Sequence, residues 1–258
     1  MQLFRPETNG QVMGCSQIAF NKVESTYIIY GTSDEGELFA IDWDKKGSDE
    51  PGVKQDIFLK YFTSERNCRP TVSVDTSPFY QDLLLTIHDC HFCIWKLECE
   101  EPVFISPFIT SGAERTYITC GFFSPSRPGV VLIGRADGYI DVWDFMDQSN
   151  APTQSHFVVA AGISSMQVNP IEKENDNLAV GDVDGCLHLL RLPQNLRRRT
   201  PNELENIRSF FEKEMERVNY FNQRFEYREE LRAADESAKR TGEDEEFMIY
   251  RRADVFCF

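Results

Sequence analysis

Residues 130–144 show the clearest pattern of hydrophobic positions in the chain. Residues 130–133 form a continuous apolar run rich in β-branched side chains, which is typical of a strand buried on both faces. Asp137-Gly138 follows, and this pair favours a hairpin because glycine accepts the positive φ of a tight turn. Residues 139–145 then form a second apolar segment that contains Trp143. The pattern therefore predicts a strand, a tight turn and a returning strand.

Three other stretches repeat this hairpin pattern with small changes. Residues 181–190 keep the turn as Asp184-Gly185, residues 31–43 have one extra turn residue, and residues 83–95 lack the turn glycine. The residues at the tryptophan position of the four copies lie 52, 48 and 47 residues apart: Trp43, Trp95, Trp143 and Leu190. A repeat of roughly this length, with about four strands per unit, predicts a β-propeller.

The predicted fold class is therefore all-β, with a WD40-type β-propeller of about four blade units over residues 1–192. The fourth unit ends without a predicted outer strand, and Pro193 follows instead. Four units seldom close a ring, and an open propeller leaves strand edges unpaired. We therefore expect these blades to be the C-terminal part of a larger propeller, or to pair with blades of another chain.

Residues 200–240 predict one long amphipathic helix after the propeller. Thr200 is a suitable N-cap, Pro201 suits the first helical position, and Glu203 completes a capping box. The segment contains neither glycine nor proline between Pro201 and Thr241-Gly242, where we predict that the helix ends. Residues 241–258 are interpreted as an acidic hinge followed by a short apolar tail.

The predicted helix carries apolar residues at close to heptad spacing, which indicates one apolar face. Two interpretations of this face stay open. It packs on the propeller of the same chain, or it binds a helix of a partner protein. The candidate partner-binding residues on it are Leu204, Ile207, Phe211, Met215, Val218, Phe221 and Phe225.

The charge of the chain narrows the classes of partner. The formal net charge is −15, and residues 1–192 carry 14 Lys+Arg and 27 Asp+Glu, a charge of −13. Nucleic-acid binding depends on lysine and arginine at the phosphate backbone, so an acidic propeller argues against it. No apolar run reaches the roughly 18 residues of a membrane-spanning helix, and the first residues lack a signal-peptide pattern. We expect a cytoplasmic protein without nucleic-acid or membrane partners.

No catalytic or cofactor motif is recognisable, so we predict neither an enzyme nor a bound cofactor. The repeat positions are interpreted as structural: Trp43, Trp95, Trp143, Asp137, Gly138, Asp184 and Gly185. Arg135 lies beside a hairpin turn, and it is interpreted either as a solvated turn residue or as a partner contact.

The single metal-like cluster of the sequence contains His88, Cys90, His91 and Cys93. Its spacing does not match a standard zinc module, and no second Cys/His pair follows it. Because alternate residues of a strand face opposite sides, we expect Cys90 and Cys93 to point to different sides. A zinc site and simple packing in strands and a turn both stay open, and the spacing favours packing.

Two stretches resemble the WD-repeat intermediate chains of axonemal dyneins. In residues 79–104, a hairpin without the Asp-Gly turn precedes Phe92-Cys93-Ile94-Trp95, and in residues 115–144 an aromatic strand precedes the Asp137-Gly138 hairpin. The resemblance covers about residues 15–192. Within the family, the chain is similar to the larger intermediate chain of the two-headed inner-arm dynein.

The resemblance implies a non-catalytic scaffold subunit of an axonemal inner-arm dynein, located in the cytoplasm, cytoskeleton and cilium or flagellum axoneme. It further implies that the propeller binds the tail of the dynein heavy chain, within a hetero-oligomeric complex that includes other intermediate and light chains. Light chains and a second intermediate chain would bind upstream segments that we expect this chain to lack. The alternative is a WD-repeat scaffold of another cytoskeletal or trafficking complex, such as actin regulation or intraflagellar transport.

Overall fold

A computed structural model describes residues 7–8, 11–12, 14–23, 26–33, 36–42, 58–62, 69–99, 101–111, 114–168 and 177–254. The chain divides into two compact units, residues 1–212 and residues 213–258. The first unit contains every β-strand found among the described residues and the beginning of the long helix. The second unit contains the rest of that helix.

The strands of the first unit form a series of antiparallel sheets, each built from consecutive strands. A short hairpin comes first: β1 (Glu7–Thr8) and β2 (Gln11–Val12). Sheet 1 then contains β3 (Cys15–Val23), β4 (Thr26–Ser33), β5 (Leu38–Asp42) and β6 (Phe58–Phe62). Sheet 2 contains β7 (Thr71–Thr76), β8 (Leu83–His88), β9 (Phe92–Lys96) and β10 (Phe104–Ile105).

A second short hairpin, β11 (Thr110–Ser111) with β12 (Glu114–Arg115), leads into the third sheet. Sheet 3 contains β13 (Ile118–Phe123), β14 (Val130–Arg135), β15 (Tyr139–Asp144) and β16 (Gln154–Phe157). Sheet 4 has three described strands: β17 (Ile163–Val168), β18 (Asn177–Asp182) and β19 (Leu187–Arg191).

The sheets confirm the predicted fold class of a partial WD40-type propeller followed by a helix. Within each sheet, the spatial order follows the sequence order. The first strands of successive sheets contact one another, β3 with β7, β7 with β13, and β13 with β17. This arrangement of four-stranded meanders around a row of inner strands is that of propeller blades. Among the described residues, no strand pairs with the outer edge of β19, and Leu187 and Leu189 on that strand are exposed.

The hydrophobic core lies between the faces of neighbouring sheets. One cluster joins sheets 1 and 2 through buried residues that include Tyr30, Leu38, Leu84 and Trp95. Another cluster joins sheets 3 and 4 through residues that include Leu132, Val142, Ile163, Leu178 and Val180. All six residues of β8 and of β14 are buried, because the apolar runs of these strands have packed partners on both faces.

Two helices follow the last strand: α1 (Gln194–Arg197) and α2 (Glu203–Asp254). The structure differs from the sequence prediction at the end of α2, because the helix continues through Thr241-Gly242 to Asp254. An internal glycine costs a helix only about 1 kcal/mol relative to alanine, and no proline follows here, so the predicted hinge and most of the predicted tail are helical. Within the described part of the chain, no helix has the length and apolar character needed to span a bilayer.

Candidate protein-interaction surface

The tryptophans at the predicted repeat positions make different contacts, one within a sheet and one between two sheets. Trp95 and Trp143 are both only 1 % exposed. The indole N–H of Trp95 donates to Thr86 Oγ1 of the neighbouring strand at 2.8 Å. The ring of Trp143 meets the ring of Phe92 edge to face, with 5.0 Å between centroids, and so joins sheet 3 to sheet 2. Trp43 lies outside the described residues.

The two Asp-Gly pairs lie at hairpin turns, as their sequence pattern predicts. Gly138 has φ +81° and Gly185 has φ +84°, both in the left-handed region that favours glycine. The N–H of Gly138 donates to the carbonyl of Arg135 at 3.2 Å. The two turns differ in their surroundings, because a Cβ on Gly138 would lie 1.7 Å from the carbonyl oxygen of Val159, whereas a Cβ on Gly185 would meet nothing within 4 Å.

Arg135 is neither a solvated turn residue nor an accessible partner contact, which corrects both sequence interpretations. Its side chain is buried, and the guanidinium donates to both carboxylate oxygens of Asp137 and to both of Asp141. Asp141 has no exposed surface, and it also accepts a hydrogen bond from the Ser155 hydroxyl at 2.6 Å. A buried carboxylate requires a cation and hydrogen-bond donors, and arginine supplies both from one planar group. Arg135 therefore stabilises its own hairpin.

The predicted metal-like cluster is only partly assembled. The possible ligand atoms of His88, His91 and Cys93 lie within 4.8 Å of one another, and all three residues are buried. The two imidazole rings are stacked, with 4.8 Å between centroids and 18° between planes. Cys90 is not part of this group, and its sulfur lies 3.5 Å from a guanidinium nitrogen of Arg69.

Hydrogen bonds of His88 argue for packing rather than for zinc. Because the Trp95 N–H donates to Thr86 Oγ1, the hydroxyl of Thr86 is available to donate to His88 Nε2, which lies 3.0 Å away. His88 Nδ1 lies 3.0 Å from the carbonyl oxygen of Arg69, so the neutral ring carries its proton on Nδ1. Both ring nitrogens are then engaged, and burial raises the pKa of the Cys93 thiol, which keeps it protonated. The arrangement is a hydrogen-bonded core between strands.

Two candidate partner-binding residues are buried in the first unit instead. Ile207 has no exposed surface, and its Cδ1 lies 2.5 Å from the position that a Cβ on Gly129 would occupy. Phe211 is 3 % exposed, and its ring packs against that of Phe145 with 5.6 Å between centroids. These contacts correct the prediction that Ile207 and Phe211 face a partner. The absence of a side chain at Gly129 lets the helix approach sheet 3 closely.

A buried ion-pair network connects the beginning of α2 to sheet 3, and sequence analysis missed it. Arg127 Nε donates to Glu203 Oε1 at 2.9 Å, and Arg127 Nη1 donates to Asp144 Oδ2 at 2.6 Å and to the carbonyl of Asn195 at 3.1 Å. Glu203 also accepts from the Thr200 N–H at 2.8 Å, which is one half of a capping box, but the Thr200 hydroxyl donates to the same carboxylate at 3.2 Å instead of accepting from the Glu203 N–H. The helix begins at Glu203, so the predicted N-cap at Thr200 and first helical position at Pro201 are wrong. The capping pattern of Glu203 was a usable signal. The sequence around Arg127 gave no signal of this pair, because its partner Glu203 lies 76 residues later.

Leu204, the first residue of the predicted apolar face, lies at the surface. Its side chain is 40 % exposed, while its carbonyl oxygen accepts a hydrogen bond from the Tyr80 hydroxyl at 2.6 Å. The backbone of this helical turn is therefore attached to the connection between β7 and β8, whereas the Leu204 side chain stays accessible to solvent.

The remaining predicted residues lie in the second unit. Met215 and Val218 are partly buried, whereas Phe221 and Phe225 are each 52 % exposed. Phe221 and Phe225 are four residues apart and therefore share one face of the helix. At about 100° per residue, Tyr220, Tyr227 and Leu231 lie about 100–140° around the helix from that pair, and they are also exposed. The rings of Tyr220 and Phe221 meet edge to face, with 6.3 Å between centroids. The exposed apolar residues of the second unit thus extend around much of the helix and are not confined to the single predicted face.

Comparison with known proteins identifies related sequences. The family model of the WD40 domain of dynein axonemal intermediate chain 3 matches residues 12–192. Dynein axonemal intermediate chain 3 of Homo sapiens is 33 % identical over 207 residues, which cover 80 % of this chain and 22 % of the relative. The 70 kDa intermediate chain of the flagellar outer arm from Chlamydomonas reinhardtii is 33 % identical over 159 residues, covering 62 % of this chain and 27 % of the relative.

Solved structures agree on the fold. A chain from the outer coat vertex of COPII on membranes matches with a TM-score of 0.58 and 16 % identity, over 70 % of this chain and 47 % of that chain. This likeness concerns the fold alone. The chain spans only about a quarter of the length of the two dynein relatives described above. The match of the WD40 model to residues 12–192 shows that the chain belongs to the family of axonemal dynein intermediate chains.

Proposed function

We propose that this chain is a non-catalytic scaffold subunit of an axonemal dynein, and that it binds the tail of a dynein heavy chain. The observation that carries this proposal is the match of the whole sheet region, residues 12–192, to the WD40 domain of an axonemal intermediate chain. Its partners are the heavy chain and other intermediate and light chains, and its location is the cytoplasm and the ciliary or flagellar axoneme. Relatives described as axonemal, flagellar and ciliary support that location.

The arm to which the subunit belongs is part of the proposal. The sequence resemblance favours the two-headed inner-arm dynein. One relative is named as an outer-arm chain, so the family by itself is compatible with either arm. Recovery of inner-arm heavy chains with this protein supports the inner-arm assignment, and recovery of outer-arm heavy chains alone overturns it.

Exposed aromatic residues of the second unit are the proposed contact on the helix. Burying one phenylalanine side chain contributes roughly 1.5–3 kcal/mol, so the exposed Phe221 and Phe225 pair is a strong candidate for partner binding. Met215 and Val218 lie in the same stretch, and Leu204 is accessible near the beginning of the helix.

The test is affinity purification of the tagged chain from an extract of ciliated cells, followed by cross-linking and mass spectrometry. We expect dynein heavy chains among the recovered proteins and cross-links that include Lys213. The variant Phe221→Asp/Phe225→Asp should lower heavy-chain recovery about tenfold or more, because charged residues would enter an apolar contact. Its matched control is Tyr227→Asp/Leu231→Asp, which changes two exposed apolar residues that lie about 100–140° around the helix from that pair.

Each outcome of this test has a defined meaning. Equal losses in both double variants would show that the helix binds through no particular face, or that the helix itself is disrupted. Far-UV circular dichroism separates these two cases. If other cytoskeletal or trafficking proteins are recovered without any motor subunit, the proposed dynein function is wrong and a scaffold role in another complex is favoured.

A further inference from the structure

A pocket of about 370 Å³ lies among the inner strands of sheets 2, 3 and 4. It lies where β7, β13 and β17 end, at Thr76, Phe123 and Val168. Its lining comes from all three sheets: Asp75, Thr76, Pro78, Phe122, Phe123, Pro125, Met166, Gln167 and Val168. The residues are mainly apolar, and a single one of them carries a formal charge.

That charged residue, Asp75, is partly buried in the wall of the pocket. Its Oδ2 accepts a hydrogen bond from the Phe123 N–H at 2.8 Å, which fixes the carboxylate against β13. Burial raises the pKa of Asp75, while the backbone N–H groups of Phe123 and Thr76 oppose this rise. Among the described residues, no lysine, arginine or histidine forms an ion pair with this carboxylate.

The surroundings of Asp75 determine which cation suits the pocket. A carboxylate held in a poorly solvated site gains stability when a cation approaches, because Coulomb attraction is stronger away from water. The guanidinium of arginine is planar and more weakly hydrated than an ammonium, and it packs favourably on aromatic rings. Phe122 and Phe123 supply aromatic rings in the lining, and Met166 supplies apolar surface for the aliphatic part of an arginine side chain.

We propose that this pocket binds an arginine side chain from an extended segment of a partner protein, with its guanidinium paired to Asp75. The formal charge of −13 over residues 1–192 complements a basic segment and accelerates its association. The proposal does not depend on which dynein subunits the chain binds.

The test uses a defined peptide and the purified full chain. The probe is acetyl-Ala-Val-Arg-Val-Ala-amide, and its control contains citrulline, a neutral isostere of arginine, at the central position. Isothermal titration calorimetry at low ionic strength should show binding of the arginine peptide and at least about tenfold weaker binding of the citrulline peptide, since a charge-assisted pair is lost. Failure of the arginine peptide to bind at about 1 mM overturns the proposal, as does equal binding of the two peptides.

Variants of the protein locate the site. Asp75→Asn removes the charge but keeps an acceptor for the Phe123 N–H, and it should weaken binding about tenfold or more. The control Asp184→Asn removes an exposed charge at a hairpin turn that Asn-Gly also favours, and it should leave affinity within about twofold. Equal effects of the two variants would indicate nonspecific attraction and contradict the proposal.

A second variant covers the case in which Asp75→Asn fails to fold. Gln167 lines the pocket and is exposed, so Gln167→Lys should preserve the fold while placing a competing ammonium beside the binding site. We expect about tenfold weaker binding of the arginine peptide to this variant. Unchanged binding would overturn the assignment of the peptide to this pocket. Because the measurement involves no dynein component, its result does not bear on the proposed dynein function.

Discussion

The Nε atom of Arg127 lies 2.9 Å from Oε1 of Glu203, and this buried hydrogen bond connects the third sheet to the first turn of the long helix. The side chains of Arg127 and Glu203 are 6 % and 0 % exposed. Arg127 also pairs with Asp144, so one guanidinium neutralises two carboxylates. In such a network the loss of one partner leaves the others buried and imperfectly compensated.

Replacement of Glu203 should therefore destabilise the first unit. We expect Glu203→Ala to lower the free energy of unfolding by about 3 kcal/mol, near the lower end for a broken buried pair because Arg127 keeps Asp144. Urea unfolding followed by circular dichroism measures this as a lower midpoint. The control Glu205→Ala changes an exposed acid of the same helical turn, and it should alter stability by less than about 0.5 kcal/mol. Equal losses in both variants would contradict a specific role of the pair.

The contact between Gly129 and Ile207 predicts strong coupling between two substitutions. Gly129→Ala places a methyl group 2.5 Å from Ile207 Cδ1, and we expect a loss of about 1–3 kcal/mol of stability. Ile207→Val removes that Cδ1 and should itself cost about 0.5–1.5 kcal/mol. In the double variant, the added methyl group enters the space that the lost one vacates, so the two losses should be clearly less than additive. A double-mutant cycle measures the coupling, and additive losses would show that the two residues are not in contact.

The two turn glycines allow backbone strain to be separated from steric overlap. Gly138 and Gly185 have nearly the same φ, so alanine should cost about 1–2 kcal/mol at either position through backbone strain alone. At Gly138 the new Cβ also overlaps the Val159 carbonyl oxygen, and we expect a total loss of about 3 kcal/mol or more. Thermal and urea unfolding of the two alanine variants test this order. A larger loss at Gly185 would be incompatible with the geometry of the turns.

We expect the folded protein to lose stability in mildly acidic solution, because the imidazole of His88 is buried in its neutral form. Burial, reinforced by the nearby His91, lowers the pKa of His88 from 6.5 to about 4, so the neutral form is favoured in the folded protein. In the unfolded chain the imidazole of His88 takes up a proton below about pH 6.5, whereas in the folded chain it stays neutral down to about pH 4. The contribution of His88 to the free energy of unfolding therefore falls as the pH decreases from about 6.5 to about 4. The difference between the pKa of His88 in the unfolded and in the folded chain corresponds to at most about 3 kcal/mol in the free energy of unfolding.

The pH dependence can be assigned to His88 by comparing two variants. Unfolding free energies of the wild type and of His88→Gln between pH 7 and pH 4 should differ in slope, with a shallower decrease in the variant. His156 is exposed, so His156→Gln serves as the matched control and should keep the wild-type slope. A wild-type slope in His88→Gln would show that other groups cause the acid sensitivity.

Local patterns in the sequence predicted the elements that are held together by residues near one another in the chain. The hairpin of β14 and β15 pairs Val131 with Trp143 and Leu132 with Val142, and the apolar run with the Asp-Gly turn was sufficient to predict it. The contact between the Thr200 N–H and the Glu203 carboxylate likewise joins residues three apart, although the helix begins at Glu203 and not at the predicted Pro201. The repeat of these hairpins then predicted the propeller, and the comparisons confirmed the fold class and the family.

Contacts between distant segments required the tertiary structure. Arg135 has the sequence context of a surface turn, yet its guanidinium is buried because it donates hydrogen bonds to Asp141 on the returning strand. The helix pattern could not tell Ile207 and Phe211 from Phe221 and Phe225, because heptad spacing is the same for a face that packs within the chain and one that faces solvent.

The sequence by itself thus determined the strands, the turns, the presence of a long helix after them and the propeller class, because each depends on short-range periodicity and on backbone preferences. The tertiary structure decided which charged residues are buried in pairs, which part of the helix packs against sheet 3, and that the carboxylate of Asp75 lines a mainly apolar pocket. These features depend on where strands and helices that are far apart in the chain come together. Burial, and with it the strength of every charge interaction, is set by that packing.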